Sequence, residues 1–599
     1  MKSWPAKAVL LAGAGALLAA IPALGQEAPQ SLLPPGFGDP QSLPPPAEKT
    51  PSRAEPGTPS APGTPGTPAE GEPAANLLGD VEEVELDEAA IVRPVNYFTI
   101  PEGADRPTDL VGLLEPGNSG LPADAFGASR GGFSASLMRG LGAPLPSRWA
   151  SIMLRRALLS RLSAPAGIGE VDWVAERAAL LLRMGEADAA RMLVQAVDVE
   201  RYTPRMVEVA AQTALATADP AGLCPLVAPA RSWSDDPVWI LADGMCAALE
   251  GEAARASALI DQARHQAGTG IDLLLAEKVV GAGEQSRRAV DIQWDGVDAI
   301  DPWRFGLASA TGVEIPDRLM NDAGPHLHAW LARAPMLPVE QRLRAASVAA
   351  TLGVFSSRSL VDLHSLMLDQ LGDADSAGTV GARLRTAWLG RSTGDRIGAL
   401  RGLWTGDEAR REPYARLILT AGAAARIPPA ADLAGDAGNL VAAMLSAGLD
   451  RQAARWASLV EQEGGSGRAW ALLAVGAPGA AVGVDSGRID SFREADDSPG
   501  AMRSRLLVAA LAGLDRISPE QAAQAGLRLG EGDAWTTAID RATRERSAGS
   551  VALLAGIGMQ ASGWAGVPPQ YLFRIVRSLR AVGLDFEARM IAAEAVARL

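Results

Sequence analysis

The sequence predicts an all-α protein: an array of antiparallel helical hairpins, an α-solenoid, after a disordered Pro-rich N-terminal segment. Three observations predict it. From Ser147 onward apolar residues recur at three- and four-residue spacing, and Gly, Pro or Asp clusters interrupt them every 12 to 20 residues. That is the pattern of successive antiparallel helices. Ala, Leu and Arg are abundant while Phe, Tyr, Ile and Thr are scarce, a balance that disfavours sheets, which lean on branched and aromatic side chains. Finally, four stretches share one Gly-to-Ala spacing, described below.

The chain divides in order. Residues 1–25 read as a secretory signal peptide. Lys2 and Lys7 supply the positive start, Ala8 to Ile21 the apolar stretch, and Pro22 breaks it. Ala23 and Gly25 are the small residues expected before cleavage, which would leave Gln26 first. Export to a periplasm or to the medium follows, with a membrane attachment only if the signal stays uncleaved. Residues 26–80 are Pro-rich, with Gly-Thr-Pro repeated between Pro56 and Pro68. Such chain buries no core and should form a disordered linker spanning on the order of 40 Å. Residues 81–146 form an irregular segment: an acidic stretch to Glu88, one short strand over Val92 to Ile100, then turns and loose coil at Gly117, Gly120, Gly127, Gly131 and Gly132. This segment is expected to drape over the following helices. Residues 147–430 and 431–599 are the N-terminal and C-terminal parts of the hairpin array. Ser147 should cap a helix running to about Ser160; Pro338 should open another, with Gly353 in the turn after it.

The repeat pattern runs as follows. Gly185, Gly251, Gly448 and Gly583 are each followed five residues later by an alanine: Ala190, Ala256, Ala453 and Ala588. Trp173, Trp239 and Tyr571 stand twelve residues before three of the glycines, and Ala178 and Gly244 seven before two of them. Gly can end a first helix where positive φ is needed. The small Ala lets the second helix approach, and the aromatic fills the space between hairpins. In these residues the chain resembles the tetratricopeptide repeats, over about a quarter of its length. The resemblance implies two-helix units stacked into a superhelix with a concave binding face. The chain departs from it in two ways: Ala187, Ala253, Asp450 and Asp585 stand where that family usually has an aromatic, and Gly185 and Gly251 lie 66 residues apart rather than about 34. Gly513-Leu514-Asp515 echoes Gly448-Leu449-Asp450 and Gly583-Leu584-Asp585.

The only two cysteines, Cys224 and Cys246, flank Ser232 to Pro237, a stretch of turn formers and N-cap candidates. They lie equally far from its centre, so an antiparallel hairpin would bring them level. An exported chain meets oxidants, and a structural disulfide is expected.

Catalytic and metal chemistry finds little support. The four histidines are His265, His326, His328 and His364. His326 and His328 would share a metal with Asp322 only on a strand or extended loop, and no third strong ligand is near. The pairs Asp235-Asp236 and Asp496-Asp497 fit turn and capping duty. No nucleophile elbow, zinc-protease or phosphate-loop motif occurs. No cofactor, metal or enzymatic activity is therefore expected. A net charge of −15 argues against nucleic acid as a partner. Lysine occurs at only four positions, and the Arg-for-Lys balance reads as a coding bias. Fourteen Trp residues outnumber Tyr and Phe together; their spacing fits packing between helices, with a peptidoglycan contact the lesser reading. The expected function is an exported, non-enzymatic scaffold that binds a protein or peptide partner in the cell envelope.

Overall fold

A computed structural model describes residues 104–599, apart from 128, 284–289, 373–375, 407–409 and 529–531. The segments read from the sequence as a signal peptide (1–25), a Pro-rich linker (26–80) and a short strand (92–100) lie outside the described residues. Among the described residues the fold is all-α, and the only β-type contacts are two isolated bridges, Val111 to Leu162 and Leu114 to Ser160.

Helix α1 (Gly131–Gly140) corrects one expectation: Gly131 and Gly132 open a helix rather than lying in loose coil. Gly131 is required there because a Cβ would sit 2.3 Å from Ile168 Cγ2. The segment before α1 does lie over later helices: Phe126 packs edge-on against Trp173, and Ser547 Oγ donates to Ala125 O at 2.8 Å. Helix α2 (Arg148–Leu159) begins as expected at Ser147, whose side chain accepts from Ala150 N, and ends at Ser160. Then follow α3 (Glu170–Arg183), α4 (Ala187–Val194), α5 (Pro204–Ala216), α6 (Cys224–Arg231), α7 (Val238–Leu249), α8 (Ala253–Ala267), α9 (Ile271–Gly283), α10 (Pro302–Ala310), α11 (Asp317–Asn321), α12 (Pro325–Arg333) and α13 (Val339–Thr351). The chain continues through α14 (Ser357–Gln370), α15 (Val380–Leu389), α16 (Thr393–Thr405), α17 (Pro413–Ala424), α18 (Ala437–Ser446), α19 (Arg468–Gly476), α20 (Met502–Gly513), α21 (Ala534–Arg544), α22 (Ala548–Gly558), α23 (Pro569–Ala581) and α24 (Asp585–Ala597), with shorter helical pieces between some of them.

Neighbours in sequence pack as antiparallel hairpins: α3 with α4, α7 with α8, α12 with α13, α15 with α16, α23 with α24. The four glycines mark hairpin turns of one geometry. Gly185, Gly251, Gly448 and Gly583 have φ of 86, 84, 76 and 88°. In each turn the next residue's N–H returns to the carbonyl five residues back: Glu186 to Leu181, Glu252 to Ala247, Leu449 to Met444 and Leu584 to Leu579, at 2.8–2.9 Å. This six-to-one closure satisfies carbonyls that a helix end leaves open. The paired alanines, Ala190, Ala256, Ala453 and Ala588, are fully buried. Trp173 and Trp239 are buried and Tyr571 is half-buried. Gly244 faces α8, where a Cβ would lie 3.2 Å from Ile260 Cδ1.

The echo at 513–515 has a different cause. There Asp515, not Gly513, carries the positive φ of 53°, and Arg516 N closes on Leu511 O. Gly513 is instead a contact glycine, since a Cβ would stand 2.9 Å from Phe573 O. Ala218 and Arg546 also hold φ of 54° in turns of the same type, closed by Asp219 N to Ala214 O and Ser547 N to Ala542 O.

Cys224 opens α6 and Cys246 lies near the end of α7, so the two meet across the hairpin with Cα atoms 5.5 Å apart and form a disulfide. Asp236 accepts from Val238 N at 3.0 Å and so starts α7. The bridge closes a loop of 22 residues, which stabilises the fold by about 3 kcal/mol through the unfolded chain's lost entropy. Thermal unfolding with and without reductant is expected to show the lower Tm with reductant; equal values would exclude a stabilising bridge.

Arginine has a structural use that composition does not disclose: guanidinium forks close helix C-termini. Arg177, fully buried, donates to Leu158 O at 2.6 and 2.8 Å and to Ser160 O at 2.7 Å, at the end of α2. Burial pushes its pKa down to about 9. Arg342 reaches Ala332 O, Arg455 reaches Ala425 O, and Arg589 reaches Gly476 O. Each places positive charge where the helix dipole is negative. The planar fork holds two carbonyls at once, which an ammonium does less well.

The array does not run on as an open ladder. Helix α2 packs against α22 and α24, more than 380 residues later in the sequence, as well as against α3 and α4. One continuous hydrophobic core extends through the described residues. No helix among the described residues is long and apolar enough to cross a membrane.

Candidate functional site

Helix α13 lines three recessed surfaces. It starts after Pro338, and its buried face is Ala345, Ala346, Ala349 and Ala350. These small side chains let α12 and α17 come close. The opposite face carries Glu340, Arg344, Ser347 and Thr351, spaced so that all four project along one side of the helix. Three cavities lie in series along this helix. The first, about 240 Å³, is bounded by α11, α12 and Arg344. The second, about 560 Å³, lies between α13, α14 and α15 and shares Arg344 with the first. The third, about 640 Å³, shares Ser347, Arg411 and Glu412 with the second and runs to the ends of α19, α20 and α24. Together the three adjoining cavities form a row, the groove, with Arg344 bordering the first two and Ser347, Arg411 and Glu412 bordering the second and third. From Glu340 to Thr351 it follows about 16 Å of helix, the reach of about five extended residues.

The walls differ along its length. In the middle cavity His364, Met367 and Leu368 of α14 face Val380 and Gly381 of α15. Gly381 is needed where the two helices touch, because a Cβ would stand 3.0 Å from His364 O. Burial, and next the charge of Arg416, lower the His364 pKa to about 4. The imidazole is therefore neutral at pH 7. In the unfolded chain it takes a proton near pH 6.5. The fold thus loses stability as pH falls from about 6.5 through about 4, by up to about 3 kcal/mol. Substituting His364→Phe is expected to flatten that part of the stability–pH curve, as measured by denaturant unfolding at several pH values. An unchanged slope would rule out His364 as its source.

In the third cavity four guanidiniums surround the space: Arg411, Arg468, Arg503 and Arg598. Arg598 lies over the Tyr414 ring, 4.7 Å from its centroid, and pairs with Glu594 at 2.9 Å. Arg503 pairs with Asp497 at 2.9 Å and donates to Leu599 O at 2.8 Å. Arg468 donates only to neutral acceptors, Asn439 Oδ1 at 2.9 Å and Ala597 O at 3.0 Å. Burial and the nearby charge of Arg503 lower its pKa. Arg411 is exposed. The Tyr414 hydroxyl is buried and without a hydrogen-bond partner. Its pKa is pushed well up, first by burial and then by Glu594.

Residues singled out from the sequence lie mostly elsewhere. The disulfide and the repeat-defining residues build hairpins and do not line the groove. His326 and His328 both sit on α12, where a two-residue step points side chains to opposite sides. His326 packs edge-on against Trp330, 5.2 Å between centroids, and His328 lines the first cavity. Among the described residues no group of three His, Cys, Asp or Glu side chains converges as a metal site. Asp496 accepts from Ser498 N and Ser504 N, and Asp235-Asp236 sits in the turn before α7, so both pairs serve turns and caps. The buried tryptophans 149, 173, 239, 294, 330, 456, 470 and 564 pack between helices, while Trp233 is exposed. Of the groove residues, sequence reading singled out His328, His364 and Asp497, in other roles, and missed the rest. The one local signal was the Glu340, Arg344, Ser347, Thr351 stripe opposite the alanines. No family model matches the chain, and no curated protein and no solved structure matches it either.

Proposed function

We propose that this chain is an exported, non-enzymatic α-solenoid scaffold of a bacterial-type cell envelope that holds a segment of a protein partner in the groove along α13. The observation that carries the reading is the groove itself: three adjoining cavities along one helix, lined by arginines, hydroxyls and short apolar stretches. Its length suits an extended peptide better than a compact metabolite. The expected signal peptide and the disulfide support export, because such bridges persist in oxidising compartments. The four hairpin turns of one geometry support a repeat of tetratricopeptide type.

Site-specific photo-cross-linking tests it. A photoreactive residue at Ser347, in the groove, is expected to give discrete protein adducts in the envelope fraction. The same residue at exposed Glu200 is not, and Thr351→Trp should suppress the Ser347 adducts by filling the channel. Equal labelling at both positions, unaffected by Thr351→Trp, would reject the groove as a binding surface.

A further inference from the structure

We infer that the chain's own N-terminal segment 91–100 docks in the cavity between α4, α5 and the start of α6, with Phe98 and Ile100 as its anchors. The inference is independent of the groove along α13. The cavity measures about 340 Å³. Val194, Val197, Val199, Ala210, Pro225 and Leu226 supply most of its wall. The polar groups around it are already engaged. Arg191 donates to Thr217 Oγ1 at 3.0 Å and pairs with Asp219. The Tyr202 hydroxyl donates to Val194 O at 3.1 Å, and Thr213 Oγ1 to Ala210 O at 2.8 Å. Arg106 Nε donates to Asp198 Oδ1 at 2.7 Å, and its Nη1 to Gln195 O at 2.6 Å. Of the polar side chains in the wall, only that of the exposed Gln195 keeps free hydrogen-bonding groups. A polar ligand would therefore lose its hydration here and find few partners in return. An apolar one would cover Val199, Tyr202 and Pro225, which are only half-buried.

Two observations choose the occupant. The first is where the described chain starts. Arg106 itself lines the cavity, and Asp105 is tied beside it to Arg201 at 2.7 Å. Phe98 and Ile100 stand eight and six residues before Arg106, a reach of up to about 26 and 20 Å, so both can enter the space. The second is composition. Ile91, Val92, Val95, Tyr97, Phe98 and Ile100 make this segment apolar, and Tyr97 and Phe98 are the only aromatics between Phe37 and Phe126. An apolar patch of this size is seldom left in water. Pro101 and Gly103 stand where a tight turn over Ile100 to Gly103 favours them, which would send the preceding chain back toward the helices. In an extended segment Phe98 and Ile100 project to one side. Covalent attachment gives the segment an effective concentration near the cavity in the millimolar range, which favours it over a second copy or another protein.

The test uses the full chain with a photoreactive benzoylphenylalanine in place of Phe98. Irradiation is expected to cross-link it, within one chain, to peptides from residues 191–226, as read by mass spectrometry. The same group in place of Thr67 should not mark those peptides. Chymotrypsin gives a second readout. It should cut after Tyr97 at least about tenfold more slowly in the wild-type chain than in Val199→Trp, which fills the cavity, because cleavage follows the undocked population. Ile100→Asp, which lies outside the helices and leaves them intact, should speed the same cut by a similar factor. Cross-links confined to other helices, cross-links that join two chains, equal marking from Thr67, or equal cleavage of all three chains would overturn the docking.

Discussion

Replacing Arg148 by Met is expected to cost about 3–5 kcal/mol of unfolding free energy, at about 1–3 kcal/mol for each buried carbonyl left without a donor less the relieved burial of the charge. Arg148 is 3% exposed at the first turn of α2. Its guanidinium donates to Ala350 O and to Phe355 O, the latter at 2.9 Å, and its Nε to Ser446 O at 3.3 Å. It thereby closes the ends of α13 and α18 together. Its backbone N–H and that of Trp149 donate to the Glu594 carboxylate at 2.9 and 3.1 Å, as does Ser147 Oγ at 2.7 Å. One buried carboxylate and one buried guanidinium therefore join four helices: the carboxylate of α24 sits on the positive end of α2, and the guanidinium of α2 on the negative ends of α13 and α18. Burial lowers the Arg148 pKa, and Tyr414 and Glu594 act against that. Methionine fills similar space but leaves three carbonyls without a donor, while Glu594 keeps its pair with Arg598. Since whole proteins are stable by only about 5–15 kcal/mol, this is a large share. Denaturant unfolding would measure it, with Arg358→Met as control because that side chain is 91% exposed. A difference of less than about 1 kcal/mol from the control would show that the carbonyls find other partners.

Gly448→Ala is expected to cost about 3 kcal/mol, against about 1 kcal/mol for Gly251→Ala. Both glycines close hairpins at similar positive φ, so the strain of a side chain there is common to both. They differ in surroundings. At Gly251 nothing lies within 4 Å of an added Cβ, whereas at Gly448 it would meet Trp149 Cη2 at 2.7 Å and Phe586 Cζ at 3.1 Å. Those two rings pack edge to face, 5.5 Å apart, between α2 and α24. Neither can turn aside without opening that seam. Comparing the Tm values of the two variants checks the claim, and equal losses would mean that the turn strain alone matters.

Some of this protein was legible because the interactions concerned are local. Ser147 caps the helix that follows it within three residues, and Pro338 precedes α13. Cys224 and Cys246 are brought level by one turn between them. The four turn glycines were readable because φ near 85° excludes most side chains. Ala218, Asp515 and Arg546 close the same kind of turn at φ near 54° without glycine, so their turns were invisible to a search for it. Gly131 was misread because a glycine demanded by close packing against Ile168 looks, in sequence, like one demanded by a turn.

The sequence by itself determined the fold class, the positions of many helix ends and the disulfide, since each follows from contacts within one helix or one hairpin. Only the tertiary structure decided which hairpins meet. Arg148 finds Ala350, Ser446 and Glu594 across separations of 202 to 446 residues. The groove gathers α11 to α15 and α17 with the ends of α19, α20 and α24. A guanidinium carries no mark of which distant carbonyl or carboxylate it will meet. That choice is made when apolar faces pack and the charged groups at their margins must find partners or remain at costly loss of hydration.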